Sequence, residues 1–218
     1  MKQQTNGTRN LLIGFTVCGV LLIGIVATLN FRDSLQNQPT ATPPPTLTPI
    51  PGVIEVMPPR ELLDFTLPAS TNEDVSLSGL QGNYTLLFFG YTHCPDFCPT
   101  TLATWKRIKE GLGEAGAQVN YVFVSVDGER DTPEVLARYL ERFDDAFIGL
   151  TGNPEVLAEI APDYGLDYAL NKEEGENYSV DHTTRTFLID RQGRLVDVFS
   201  FDVPQSIIVA KIQQEMAT

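Results

Sequence analysis

The chain has 218 residues, enough for one ordinary domain with additions, and 42% of them are hydrophobic, so a packed core is expected. Its formal net charge of −13 repels phosphate backbones and argues against nucleic-acid binding. Three cysteines, of which only two lie close together, are too few for the disulfide framework of a small secreted domain.

Residues 1–10 carry Lys2 and Arg9 and lead into LLIGFTVCGVLLIGIVATL, residues 11–29, a run of 19 without a charge. At 1.5 Å per residue this run reaches about 28 Å, close to the roughly 30 Å of a hydrocarbon core. It exceeds the roughly 7–15 apolar residues of a secretory signal peptide, and Ala27-Thr28-Leu29-Asn30 is a poor cleavage pattern. An uncleaved transmembrane anchor is therefore expected. Cys18 reads as an inert membrane residue, because Phe15-Thr16-Val17 before it lacks the small residue that a lipoprotein site needs. The positive-inside bias puts the N-terminus in the cytoplasm and the rest of the chain on the extracytoplasmic side, as a single-pass protein of a bacterial plasma membrane. Residues 30–59 form a linker. From residue 36 onward proline and threonine dominate it, a composition that tends to polyproline II and spans at most roughly 70 Å.

The folded domain is expected over residues 60–218. Short alternating runs at 64–67 and 75–77 predict a small hairpin. The continuous apolar run 84–90 predicts a strand covered on both faces, followed by a helix to about Leu112. Residues 119–127 predict a second buried strand. Asp131-Thr132-Pro133-Glu134 and Asn153-Pro154-Glu155 are helix starts, with a polar cap, proline in the first turn and an acid at the positive dipole end. These helices are expected to end near Phe143 and Ile160, with a further strand between them. Arg191-Gln192-Gly193 predicts the turn of a hairpin, and residues 204–216 a last helix. This order predicts an α/β domain of thioredoxin-like architecture, a mixed central sheet flanked by helices with an N-terminal β-hairpin.

Cys94 and Cys98 stand at the start of the first helix, where free N–H groups favour thiolate. Residues four apart on a helix hold their Cβ atoms about 5–6 Å apart. A disulfide wants about 3.5–4.5 Å, whereas two thiolates on one metal ion, at roughly 2.3 Å each, tolerate more. The spacing leans toward chelation and leaves a disulfide open. The chain has only two histidines. His182 precedes a strand in the loop that, in this fold, packs against the cysteine motif. Thioredoxin-like reductases carry a cis-proline there, and this chain has no proline between Asp163 and Val203. Two cysteines and a histidine make a soft set suited to Cu(I), Cu(II) or Zn(II). His93 is expected to leave the strand end in another direction, Asp96 to be a solvated cap, and Tyr91 and Trp105 to be packing residues. Asp127 ends the second strand beside the site, placed to orient a ligand, dock a partner or simply make a turn. The acidic stretch of Asp163, Asp167 and residues 173–176 reads as a solvated loop.

Three stretches, GYTHCPDFCP (90–99), SVDGERDTP (125–133) and VDHTT (180–184), resemble in order and spacing the signatures of the SCO/SenC family. The resemblance covers about residues 60–216. Gly128 departs from it where many members have proline, which should loosen that turn. The resemblance implies a membrane-anchored copper metallochaperone that binds Cu(I) or Cu(II) through Cys94, Cys98 and His182. It implies as partner the copper-accepting subunit of cytochrome c oxidase, or another copper chaperone, in assembly of the binuclear copper centre. Some members act instead, or also, as thiol-disulfide reductases on the acceptor's cysteines, in which case Cys94 and Cys98 are the redox pair.

Overall fold

The computed structural model describes residues 50–175 and 177–217. The expected anchor at 11–29, the N-terminus before it, Cys18 and the linker up to residue 49 lie outside the described residues. Among the described residues no helix is long and apolar enough to cross a membrane.

The run YTLLFFG forms β4 (Tyr84–Gly90), and all seven of its residues are buried. β5 (Val119–Ser125) lies parallel beside it, and β6 (Phe147–Thr151) parallel beside β5, so that Gly90, Ser125 and Thr151 end the three strands in register. On the other side β9 (Thr186–Ile189) pairs antiparallel with β4, and β10 (Arg194–Phe199) antiparallel with β9. Strands buried on both faces need helices above and below. These are α1 (Phe97–Leu112), α2 (Pro133–Leu140), α3 (Pro154–Tyr164) and α4 (Gln205–Met216). The two sequence-predicted caps form: Thr132 Oγ1 accepts from the Val135 N–H at 3.4 Å, and Asn153 Oδ1 from the Glu155 N–H at 2.9 Å. α2 ends earlier than expected. α3 runs further, to Tyr164, and closes on Gly165 in the left-handed region, so Asp163 belongs to a helix and not to a solvated loop. Trp105 is buried in the core against Phe88, Tyr121 and Phe147.

The expected hairpin is present as β2 (Thr66–Pro68) and β3 (Asp74–Ser76). The sheet, however, has a sixth strand that the sequence reading gave to the linker. β1 (Val53–Glu61) pairs antiparallel with β10 at the sheet edge, with an irregularity between Glu55 and Arg60 that contains Pro58 and Pro59. Proline has no N–H to give a ladder and is tolerated at such an edge. β1 is mostly exposed and is held by backbone pairing and by charge. Lys211 Nζ, buried on α4, lies 2.7 Å from Glu55 Oε1 and 3.6 Å from Asp197 Oδ1. Ordered structure therefore begins before residue 60. A second addition is the two-stranded ribbon of β7 (Tyr168–Leu170) and β8 (Val180–His182), in which Tyr168 faces His182.

Candidate metal site

The site lies at the carboxyl edge of the parallel strands, where open α/β sheets place their ligands. β4 ends at Gly90, and the size of this residue matters. A Cβ there would come within 2.8 Å of Cys98 Sγ and of the Phe123 ring. The bare backbone lets the Cys98 sulfur seat itself against the strand end. The chain then turns, the Cys94 N–H donating to the Tyr91 carbonyl at 3.3 Å, and enters α1 at Phe97. The first N–H groups of a helix lack carbonyl partners. That of Cys98 donates to Cys94 Sγ at 3.4 Å.

The two sulfurs are unequal. Cys94 keeps 8% of its surface exposed and Cys98 none. The Cys98 thiol, hydrogen-bonding to Cys94, holds the Cys94 thiol down at about 4, with help from His182 and from the N–H groups of Cys98 and Asp96, against burial. Burial, and then the neighbouring Cys94 thiolate, push the Cys98 thiol well above its ordinary range. Both cysteines are free.

His182 closes the site from β8. Its Nε2 lies 3.7 Å from Cys98 Sγ, and its Nδ1 lies 3.0 Å from the Thr183 carbonyl. A carbonyl only accepts, so this bond requires a proton on Nδ1 and turns Nε2 toward the cysteines. Phe88 and Tyr91 pack edge-on against the imidazole, each with ring centroids 5.8 Å away. Tyr91 is thus packing, as expected, but it packs the imidazole itself. The Cys94, Cys98 and His182 ligand atoms all lie within 4.8 Å of one another, the one such group of three among the described residues. A common centre is then at most about 2.8 Å from each, so bonds of roughly 2.0–2.3 Å need only a small inward movement. The donor set and spacing fit a soft metal ion.

The other sequence candidates divide. His93 is exposed, its Nδ1 3.2 Å from Thr92 Oγ1, and it does not join the three. Asp96 precedes α1 but makes no side-chain cap hydrogen bond. Asp127 is buried and touches none of the three ligand side chains. It accepts from the Tyr178 hydroxyl at 2.6 Å and from Arg130 Nε. Gly128 beside it stands where two backbones meet. A Cβ there would stand 2.1 Å from the Gly152 carbonyl oxygen, so the backbones approach too closely for a side chain. One residue escaped the sequence reading. Asp131, read only as part of a helix start, is fully buried. It accepts from the Thr92 N–H at 2.9 Å, Thr92 Oγ1 at 2.5 Å and Ser125 Oγ at 2.6 Å, fixing the turn that carries Cys94. The clue was two hydroxyl residues, Thr92 and Ser125, at the carboxyl ends of buried strands, with Asp131 at the helix start that follows.

Two surface features border the site. An open cleft lined by Asp167, Tyr168, Ala169, Asp181, His182 and Thr183 leads to the imidazole. Phe97, inside the cysteine motif, is 43% exposed, and its ring packs against exposed Phe201 with centroids 4.8 Å apart.

Residues 57–217 match the family described as SCO1/SenC. The chain belongs to the SCO1/SenC family. Among SCO1/SenC relatives, it is 32% identical over 217 residues to a SCO2-like protein of Rickettsia prowazekii, covering 99% of this chain and all of that one. Its fold is similar to that of Bradyrhizobium japonicum ScoI with copper bound, with a TM-score of 0.65 and 35% identity over 71% of this chain and 99% of that one. It is also similar to apo Sco1 of Thermus thermophilus, with a TM-score of 0.66 and 42% identity over 73% of this chain and 94% of that one. The SCO1/SenC fold of these solved relatives is the mixed sheet flanked by helices described above.

Proposed function

We propose that this protein holds copper at Cys94, Cys98 and His182 and passes it by ligand exchange to an acceptor in assembly of the binuclear copper centre of cytochrome c oxidase. The observation that carries this reading is the convergence of two sulfurs and the His182 imidazole nitrogen within 4.8 Å. Soft thiolates select Cu(I), and an imidazole also suits Cu(II). A copper-bound relative at 35% identity supports the choice of metal, and membership of the family supports the choice of acceptor. The site is partly open, with Cys94 at its rim and the cleft beside His182, so an incoming ligand has access. The reading includes an anchor at residues 11–29 that tethers the domain on the extracytoplasmic side of the plasma membrane, where such an acceptor is assembled. The charge-free length of that run supports the tether.

One observation favours a second role on the same residues. A thiol at the rim with a lowered pKa, 8% exposed, beside a fully buried one with a raised pKa is the pattern of an attacking and a resolving cysteine. The Cys94 thiolate would attack an acceptor disulfide, releasing one acceptor thiolate and forming a mixed disulfide. Cys98, giving up its proton, would then displace the second acceptor thiolate. The acceptor is reduced by two electrons, and the Cys94–Cys98 pair is oxidised to a disulfide.

The deciding experiment is Cu(I) titration of the reduced full chain in detergent against a competing chelator, wild type beside His182→Ala. The expected result is one-to-one binding that weakens at least tenfold, about 1.4 kcal/mol, in the variant. Equal binding in both would remove His182 from the ligand set and move the weight to disulfide exchange.

A further inference from the structure

The ligand set comes from two places 84 residues apart in sequence. One short turn, residues 127–131, touches both. At its far end Asp131 fixes Thr92 and so the Cys94 turn. At its near end Asp127 takes the Tyr178 hydroxyl at 2.6 Å, across 51 residues of chain. Tyr178 is buried and stands four residues before His182. Arg130 completes the arrangement. Its Nε donates to the second Asp127 oxygen, and its guanidinium carbon lies 3.5 Å from the centre of the Tyr178 ring. The same guanidinium stands 6.0 Å from the Tyr91 ring, which packs on the His182 imidazole. Further out, Lys172 Nζ meets Glu129 Oε1 at 2.6 Å.

Besides buried Val180, the Phe88 and Tyr91 rings and the Thr183–Asp167 pairing, this contact supplies a buried polar tie to β8. That strand is three residues long, and its partner β7 is also three. Two-stranded ribbons are marginal in water without further packing. The ribbon is not part of the six-stranded sheet. A fully buried carboxylate that receives a phenol and a guanidinium is a strong, directional anchor. Burial and the Asp127 carboxylate push the Tyr178 hydroxyl up to about 12, so it remains a proton donor at any physiological pH.

We propose that Asp127, Arg130 and Tyr178 form a clamp that positions His182 against the cysteine pair, so that one turn sets the geometry of both halves of the ligand set. Tyr178 and Asp127 are positioning residues and touch no ligand atom. The consequence for metal binding rests on the copper reading above, whereas the clamp itself does not.

The test uses Tyr178→Phe, which removes one hydroxyl and keeps the ring under Arg130. In the copper-free full chain in detergent, amide hydrogen exchange at residues 178–183 should rise about three- to tenfold, the size of one lost hydrogen bond, with exchange in residues 98–112 unchanged. Cu(I) affinity should fall by a similar factor in the wild-type background and by less than twofold in a His182→Ala background, because the clamp acts only through the imidazole. Asp127→Asn should move exchange and affinity in the same directions. Unchanged exchange at 178–183 overturns the clamp, whatever copper does. An equal loss of affinity in both backgrounds overturns its action through His182. If His182→Ala alone leaves Cu(I) affinity unchanged, the copper reading falls, and the exchange result still decides the clamp.

Discussion

The two halves of the site are built in opposite ways. The cysteine half grows out of the core. β4 is buried along its whole length, Gly90 makes room for the Cys98 sulfur, and α1 packs Leu102, Trp105 and Ile108 beneath it. The histidine half is a short ribbon outside the main sheet, packed on the core through Tyr178 and Val180 and tied to a turn by the Tyr178–Asp127 bond. Close-packed interiors resist displacement, whereas a segment held by a few directional bonds opens at lower cost. The protein thus presents two sulfurs fixed on the core and an imidazole carried on a separate ribbon.

The comparison breaks most sharply at Asp131, which belongs to the fixed half. Its carboxylate takes three hydrogen bonds in a fully buried place. Asp131→Ala would leave the Thr92 N–H and two hydroxyls without their acceptor, at about 1–3 kcal/mol for a single unsatisfied group and more for several. The expected loss is about 3 kcal/mol, seen as a fall of roughly 10 °C in the melting temperature of the reduced, copper-free chain. Tyr178→Phe in the histidine half should cost about 1 kcal/mol or less. Equal losses would mean that the halves are not built differently.

The sequence exposes these halves unequally, for the same physical reason. Continuous apolar runs mark β4 and β5, and Thr132-Pro133 and Asn153-Pro154 mark helix starts, because burial on both faces and capping leave local signatures. The cysteine spacing is local too. His182 was legible because the chain has only one other histidine and the fold order placed its loop. The bonds that hold it are another matter. Nothing near Tyr178 announces that it meets Asp127, and nothing near Thr92 announces Asp131. These contacts exist only once distant segments have docked. β1 was missed for a related reason. Its residues are mostly exposed and interrupted by Pro58 and Pro59, and backbone pairing to β10 leaves no apolar pattern to read. The ribbon strands, three residues each, are too short for a period to show.

A smaller effect weighs the two halves against each other at one atom. The Cys94 thiol is held at about 4 first by the Cys98 thiol and then, among the side chains, by His182. A thiol whose pKa falls from its ordinary 9.0 on folding adds stability that is fully present above pH 9 and is lost as pH falls through about 4. Neutral alkylating reagents should therefore label Cys94 in the reduced protein already at pH 6 and spare Cys98, with peptide mapping to tell them apart. Following the rate against pH, Cys98→Ala should move the midpoint up more than His182→Ala does. The reverse order would make the histidine half the dominant partner of that thiolate.

The smallest expected effect lies at the outer end of the ribbon. Lys172 and Glu129 approach to 2.6 Å, but their side chains are 48% and 68% exposed. Exposed ion pairs return little, because water screens them and ordering two long side chains offsets much of the attraction. Lys172→Ala should change thermal stability by less than about 0.5 kcal/mol and leave Cu(I) affinity within twofold of wild type, in low salt as in high. That outcome would place the hold on the ribbon in its inner contacts, the Asp127–Tyr178 bond among them. A loss in Lys172→Ala as large as in Tyr178→Phe would mean that the surface pair shares in positioning His182, and that the histidine half is fastened at its outer end as well as at its buried contacts.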